Sequence, residues 1–184
     1  MLTRNEFNEY RAKFTEHVTH LKENKTEFYS DNWWFLEAMT PQKRGNFMQD
    51  THVEKMSGLI KKISPKLKKG DFHSTNNKYF EYKFSMTDSK RDICFLQIRP
   101  HHPCDYVFEV YDSGEEKMYC FFISHKQMSE LIKKYHSSYT HSSTTTMYSL
   151  RGSLNPKSKK YNLWTHLVEN HLVDYDELRP IYGS

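Results

Sequence analysis

The sequence predicts a single mixed α/β (α+β) domain, and three observations carry that class. Apolar residues recur at helical spacing in the first third, alternate with a period of two in the middle, and return to helical spacing near the end. The 184 residues suit one domain of ordinary size. Twelve Phe, 13 Tyr and three Trp supply rings for a core although only 36% of residues are hydrophobic. That aromatic content excludes a disordered chain, and six Gly with six Pro exclude collagen-like and linker-type chains.

Thr3-x-x-Glu6 has the form of a capping box, and Phe7, Tyr10, Phe14, Val18 and Leu21 follow at helical spacing, so a first helix is expected to about residue 24. Asp31 caps an expected short helix through Trp33, Trp34, Phe35 and Leu36. Residues 40–45, with Pro41 and Gly45, read as a loop before a third helix over 46–63, which Ser64-Pro65 ends. From Lys78 to Ser85 the period is two: Tyr79, Glu81, Lys83 and Ser85 face one way, and Phe80, Tyr82 and Phe84 the other. Strands follow over 93–99, 106–111 and 118–123, the last two joined by the turn Asp112-Ser113-Gly114. Ser124 caps a helix carrying Met128, Leu131, Ile132 and Tyr135. Residues 137–149 hold nine Ser or Thr in 13 positions and read as a long polar loop. A helix over 162–172 and a last turn over 174–178 close the chain. The expected organisation is one domain over 1–184: an N-terminal helical part (1–40), a central core (41–136), and the polar loop with C-terminal helices (137–184).

No apolar run reaches the roughly 20 residues that cross a bilayer, and the N-terminus lacks the layout of a signal peptide. Cys94, Cys104 and Cys120 form an odd set without a CxxC pair, which argues against a disulfide framework or thiolate zinc site and for a cytoplasmic protein. No P-loop, GxGxxG or GxSxG occurs, so no nucleotide cofactor is expected.

The net charge of +4 decides little as a total. Its distribution is asymmetric. Residues 131–168 contain no acid but Lys133, Lys134, Arg151, Lys157, Lys159 and Lys160; residues 55–70 contain no acid but Lys55, Lys61, Lys62, Lys66, Lys68 and Lys69. Two such stretches suit a surface that meets a polyanion; a solvated lysine-rich face is the plainer alternative.

The acids gather elsewhere. Gly70-Asp71-Phe72 precedes Glu81-Tyr82-Lys83 by nine residues, and Glu81 and Lys83 share one strand face. Asp71 and Glu81 together can hold a hard divalent cation, beside which Lys83 can orient or help deprotonate a water. Composition alone gives about two or three acid-x-Lys matches, and the chain has four, starting at Glu23, Glu81, Asp88 and Glu115. Only the Glu81 match lies in an alternating strand with an Asp ten positions upstream and an acid-bearing helix before that. An exposed strand face with an ordinary Glu/Lys pair is the structural alternative.

From Arg44 to Tyr111 the chain resembles the PD-(D/E)XK nuclease superfamily, and within it type II restriction endonucleases. The resemblance rests on the helix with Glu54, on Gly70-Asp71-Phe72, on Phe80-Glu81-Tyr82-Lys83-Phe84-Ser85 and on Leu96-Gln97-Ile98-Arg99-Pro100. It implies a restriction-endonuclease-like core with a central mixed sheet flanked by helices, Mg²⁺-dependent cleavage of double-stranded DNA at a palindromic sequence, and a homodimer. It implies Asp71 and Glu81 as metal ligands, Lys83 as the water-orienting group, Glu54 as an accessory acid, with Gln49 the other helical candidate, and Gln97 as a polar residue beside the site. Gly70 stands where the family pattern has proline. A structure-specific repair, junction-resolving or phage nuclease and a non-catalytic DNA-binding protein are the alternatives.

Arg99-Pro100-His101-His102-Pro103 lacks the further Asn and His of an HNH site and suits phosphate contact through Arg99 and His101. Arg151, Asn155, Lys157, Lys159 and Lys160 are the expected DNA contacts of the second basic stretch.

Overall fold

The computed structural model describes residues 5, 9, 12, 13, 16, 36, 39–142 and 145–183. The two helices expected before residue 37 lie largely outside that set. Asn5, Glu9, Ala12, Lys13 and Glu16 are helical and exposed, and Leu36 is buried.

Helix α1 spans Pro41–Lys55. It begins within the expected loop over 40–45, because Thr40 is a working cap and accepts the Lys43 amide at 3.4 Å. Pro41 lacks an N–H where none would be paired, so proline here starts a helix. The helix also stops eight residues before the expected end. Met56 caps it, and Gly58 at φ +82° turns the chain into β1, Ile60–Lys62.

A short 3₁₀ turn at Pro65–Leu67 leads to β2, Phe72–Ser74, and a tight turn to β3, Tyr79–Met86. Then come β4 (Asp92–Ile98), β5 (Asp105–Asp112), β6 (Lys117–Ile123) and α2 (His125–Tyr135). The expected polar loop at 137–149 is instead a hairpin of β7, His136–Ser142, and β8, Thr145–Ser153. Threonine is β-branched and suits extended backbone, and β8 pairs with β4 on its other side, so polarity did not prevent a ladder. Helix α3 (Tyr161–His171), β9 (Leu172–Val173) and α4 (Tyr175–Tyr182) complete the chain. Among the described residues no helix is long and apolar enough to cross a membrane.

The central sheet has six strands in the order β1-β2-β3-β5-β6-β9. It is mixed: β3 and β5 are parallel, with Glu81 opposite Tyr106 and Lys83 opposite Phe108, while the other pairs are antiparallel. The intervening β4 leaves this sheet and joins β8 and β7 in a smaller antiparallel one. One core lies between the central sheet and helices α1 and α4, built on Met48, Phe72, Phe80, Val107 and Tyr182. The other lies between the opposite face, the small sheet, α2 and α3, with Phe95, Phe108, Phe121, Leu131 and Leu163. Strand β5 is covered on both faces, and all but Asp105 of its eight residues are buried.

Candidate functional site

The site forms where β3 starts. The chain leaves the 3₁₀ turn through Lys68 and Gly70, both at positive φ (+52° and +109°). A Cβ on Gly70 would stand 2.6 Å from the Phe80 carbonyl oxygen. Glycine therefore satisfies two needs at this position: its backbone conformation and its closeness to β3. Asp71 is then clamped from both sides: its amide donates to Phe80 O at 2.7 Å, and its carbonyl accepts the Ile63 amide at 3.0 Å. Its carboxylate turns onto β3 and accepts the Tyr82 amide at 2.9 Å.

Glu81 and Lys83 leave β3 on one face, as alternation requires, and Lys83 Nζ donates to Glu81 Oε1 at 2.6 Å. The same oxygen lies 3.4 Å from Arg99 Nη1, and Glu81 Oε2 lies 3.7 Å from His102 Nδ1. Only 2% of the Glu81 side chain is exposed, against 16% for Lys83 and 29% for Arg99. Burial, then the charge of Glu81, pushes the Asp71 carboxyl above its ordinary value, although Lys83, the Tyr82 amide and Arg99 pull it down. Burial and the same two acids push the Cys104 thiol up to about 12. Asp71, Glu81 and Lys83 are thus close enough to act on one another's charge.

Arg99 and His102 come from the turn after β4. A bulge in β4 between Phe95 and Ile98 leaves Leu96 and Gln97 exposed, with Gln97 at φ +57°. Gln97 Oε1 lies 3.4 Å from Arg99 Nη2, so Gln97 reaches the site through Arg99. The turn is braced by Tyr106 OH donating to Arg99 O at 3.0 Å and by the His125 ring against Pro100 O at 2.8 Å. His101 is exposed and stacks edgewise on His102 at 4.7 Å between centroids.

The expected DNA-contacting residues divide. Arg151 and Lys160 line a cleft of about 400 Å³ with Ser85, Cys94 and Leu96. The cleft is also lined by Asp88 and Asp92, and Asp71, Glu81, Lys83 and Arg99 are not among its lining residues. Lys160 is paired with Asp92 at 2.5 Å. Asn155 organises the turn before α3, its side chain accepting the Lys157 amide at 3.0 Å, and Lys157 and Lys159 are exposed there. Glu54, the expected accessory acid, is exposed on α1. Gln49 is half-buried on the same helix.

Helix α1 contributes a different polar residue, which the sequence reading missed. His52 is buried, with Nδ1 2.8 Å from Glu109 Oε1 and Nε2 2.8 Å from Tyr182 OH. Glu109 on β5 also accepts Tyr82 OH at 2.6 Å and Tyr175 OH at 2.8 Å. Burial would raise the Glu109 carboxyl, but His52, Tyr82 and Lys55 outweigh it and hold the group below its ordinary value. An acid inside the apolar run Val107-Phe108-Glu109-Val110 was the available signal.

Among the described residues no three His, Cys, Asp or Glu side chains gather to hold a metal ion. The oxygen donors at the site are the carboxylates of Asp71 and Glu81. No protein-family model matches the chain, and no curated protein matches it in sequence.

Proposed function

We propose that the protein is a Mg²⁺-dependent endonuclease that hydrolyses double-stranded DNA at a specific sequence, in the manner of a type II restriction enzyme. The observation that carries this reading is the meeting of Asp71, Glu81 and Lys83 at the start of β3, with Arg99 alongside. A metal fits the donor set. Two crowded carboxylates, one of them pushed toward its protonated form, are relieved by a cation between them. Oxygen donors suit Mg²⁺, which takes one or two carboxylates and leaves its other positions to water and phosphate.

Asp71 and Glu81 would hold the ion, which when bound stabilises charge on the phosphate and acidifies water. The remaining work belongs to the chain. The Lys83 ammonium, fixed by β3 beside Glu81, is placed to orient the attacking water by hydrogen bonding. Arg99 offers a planar two-pronged donor to a phosphate at the site, and exposed Arg151 supplies a further positive charge in the separate cleft it lines. Exposed His101, Lys157, Lys159 and the Asn155 turn supply further backbone contacts. A two-fold homodimer would bring one such site to each strand and read a palindrome.

The test is plasmid cleavage. With Mg²⁺ the wild type gives discrete fragments with uniform ends, and Lys83→Ala gives none while still binding DNA. Retained cleavage by Lys83→Ala sinks the site. Discrete cutting of branched DNA alone would favour a structure-specific nuclease, and no cutting in Mg²⁺ or Mn²⁺ a non-catalytic binder.

A further inference from the structure

Three basic side chains surround Glu81: Oε1 is held by Lys83 and Arg99, while Oε2 lies 3.7 Å from His102 Nδ1, a buried ring nitrogen with no hydrogen-bond partner among the described residues. Asp71 by contrast accepts a backbone amide. Asp71, Glu81, Lys83 and Arg99 balance two negative charges against two positive ones. A divalent cation on the carboxylates would shift that balance to net positive, which weakens the hold of Glu81 on whichever of the two basic side chains is bound more loosely.

The geometry selects Arg99. Lys83 is the more buried, sits two residues from Glu81 on the same strand face, and makes the 2.6 Å contact. Arg99 makes the longer 3.4 Å contact and is nearly twice as exposed. Its other terminal nitrogen already points to Gln97, exposed on the β4 bulge. The backbone of its turn is held by Tyr106, so the side chain can swing while its anchor stays fixed.

We propose that Arg99 is a cation-gated phosphate ligand. In the free protein Glu81 holds its guanidinium; when a divalent cation occupies Asp71 and Glu81, the guanidinium transfers to a DNA phosphate beside the site. The inference rests on the nuclease reading above and adds that cation and DNA bind cooperatively through this one side chain. The coupling is reciprocal, as any linkage between two binding equilibria must be.

The experiment measures binding of a labelled DNA duplex to the full chain over a range of KCl concentrations, in EDTA and in Ca²⁺. Each phosphate neutralised adds about 0.9 to the slope of log K against log salt. Ca²⁺ is expected to steepen the wild-type slope by about 0.9 more than it steepens that of Arg99→Gln. Without DNA, Arg99→Gln is expected to bind Ca²⁺ several-fold more tightly, because the competing cation on Glu81 is gone. Arg99 is partly exposed, and a thermal melt checks that the variant is folded. Equal slope increments in the two proteins, or equal Ca²⁺ affinities, overturn the hand-over. Plasmid cleavage in Mg²⁺ separates the two failures: a cut plasmid with equal increments removes the gating alone, whereas no cutting and no Ca²⁺ binding remove the nuclease reading with it.

Discussion

Replacing Gly70 with alanine tests whether the approach of residues 70–71 to β3 builds the site. Alanine at φ +109° occupies a region that is essentially reserved for glycine, at a cost of about 1–3 kcal/mol. Its Cβ would meet Phe80 O at 2.6 Å, Phe80 C at 2.8 Å and Glu81 N at 3.1 Å. All three are backbone atoms of β3, which is paired with β2 on one side and β5 on the other, so β3 cannot yield. The loop must move away and loosen the 2.7 Å bond from the Asp71 amide to Phe80 O, for about another 1 kcal/mol. The expected total is about 2–4 kcal/mol, or a fall in Tm of roughly 4–16 °C for a chain of this size. Asp71 moves with the loop, and a displacement of about 1 Å at a positioned catalytic group costs on the order of a hundredfold in rate. Gly45→Ala is the control. Its Cβ meets nothing within 4 Å inside α1, and alanine there should stabilise by about 0.5–1 kcal/mol. Urea denaturation and DNA cleavage, measured where both variants are folded, read the two effects. Equal stability and equal cleavage for the two variants would refute the reasoning.

The Glu109 cluster makes a pH-dependent contribution to stability. Its folded-state pKa is depressed, so the contribution is complete above the unfolded value of about 4.3 and is lost as pH falls through the lower folded value. Glu109→Gln should be less stable than the wild type at pH 7 by about 1.5–3 kcal/mol, with the gap closing below pH 4; a pH-independent gap in urea titrations would contradict this. At the C-terminus, Asp174 and Glu177 form a reciprocal capping box for α4, each side chain accepting the other's backbone amide at 2.8 Å. Asp174→Ala should cost about 1 kcal/mol by chemical denaturation without altering DNA cleavage, and an unchanged midpoint would show that the cap contributes nothing.

Much of this architecture was legible in the residues, and the failures share a cause. The alternation from Lys78 to Ser85 located β3 within a residue, because a strand with an apolar face and a charged face has only one period that fits. Ser124 and the 128/131/132 spacing located α2 for the same reason. Pro41 and the Ser/Thr-rich segment were misread because composition was taken as conformation. Proline breaks a helix interior but starts a helix well, and threonine is polar yet suited to strands. The departure of β4 from the central sheet was not legible at all. Nothing in Ile93-Cys94-Phe95-Leu96 marks which neighbour it will pair with, since partner choice depends on residues more than fifty positions away on β8. Asp71, Glu81 and Lys83 lie near one another, whereas the direction of an acid on a helix, such as Glu54, is not fixed in the sequence until the helix's packing is known.

Two of the buried carboxylates, Glu81 and Glu109, differ in how completely they are held. Both are about 1% exposed, and each has basic or hydroxyl groups around it. Glu109 accepts from His52, Tyr82 and Tyr175 at 2.6–2.8 Å, and the His52 ring is itself completed by Tyr182. Such a set, closed on α1, α4, β3 and β5, leaves a ligand nothing to replace. Glu81 is bound by one short contact and two long ones, two of them to partly exposed cations, and a second acid beside it is driven toward protonation by burial and by Glu81 itself. On the proposed reading, that arrangement would be relieved by a bound cation. The two clusters meet through Tyr82, which lies between Glu81 and Lys83 in sequence and faces the opposite side of β3. By fastening its hydroxyl to Glu109, the closed cluster fixes the rotation of β3, and so fixes the direction in which Glu81 and Lys83 point. Tyr82→Phe should therefore lower cleavage more than the roughly 1.5–3 kcal/mol loss of one charged hydrogen bond would lower the folded fraction, and a variant that unfolds more easily yet cuts at the wild-type rate when folded would break that link.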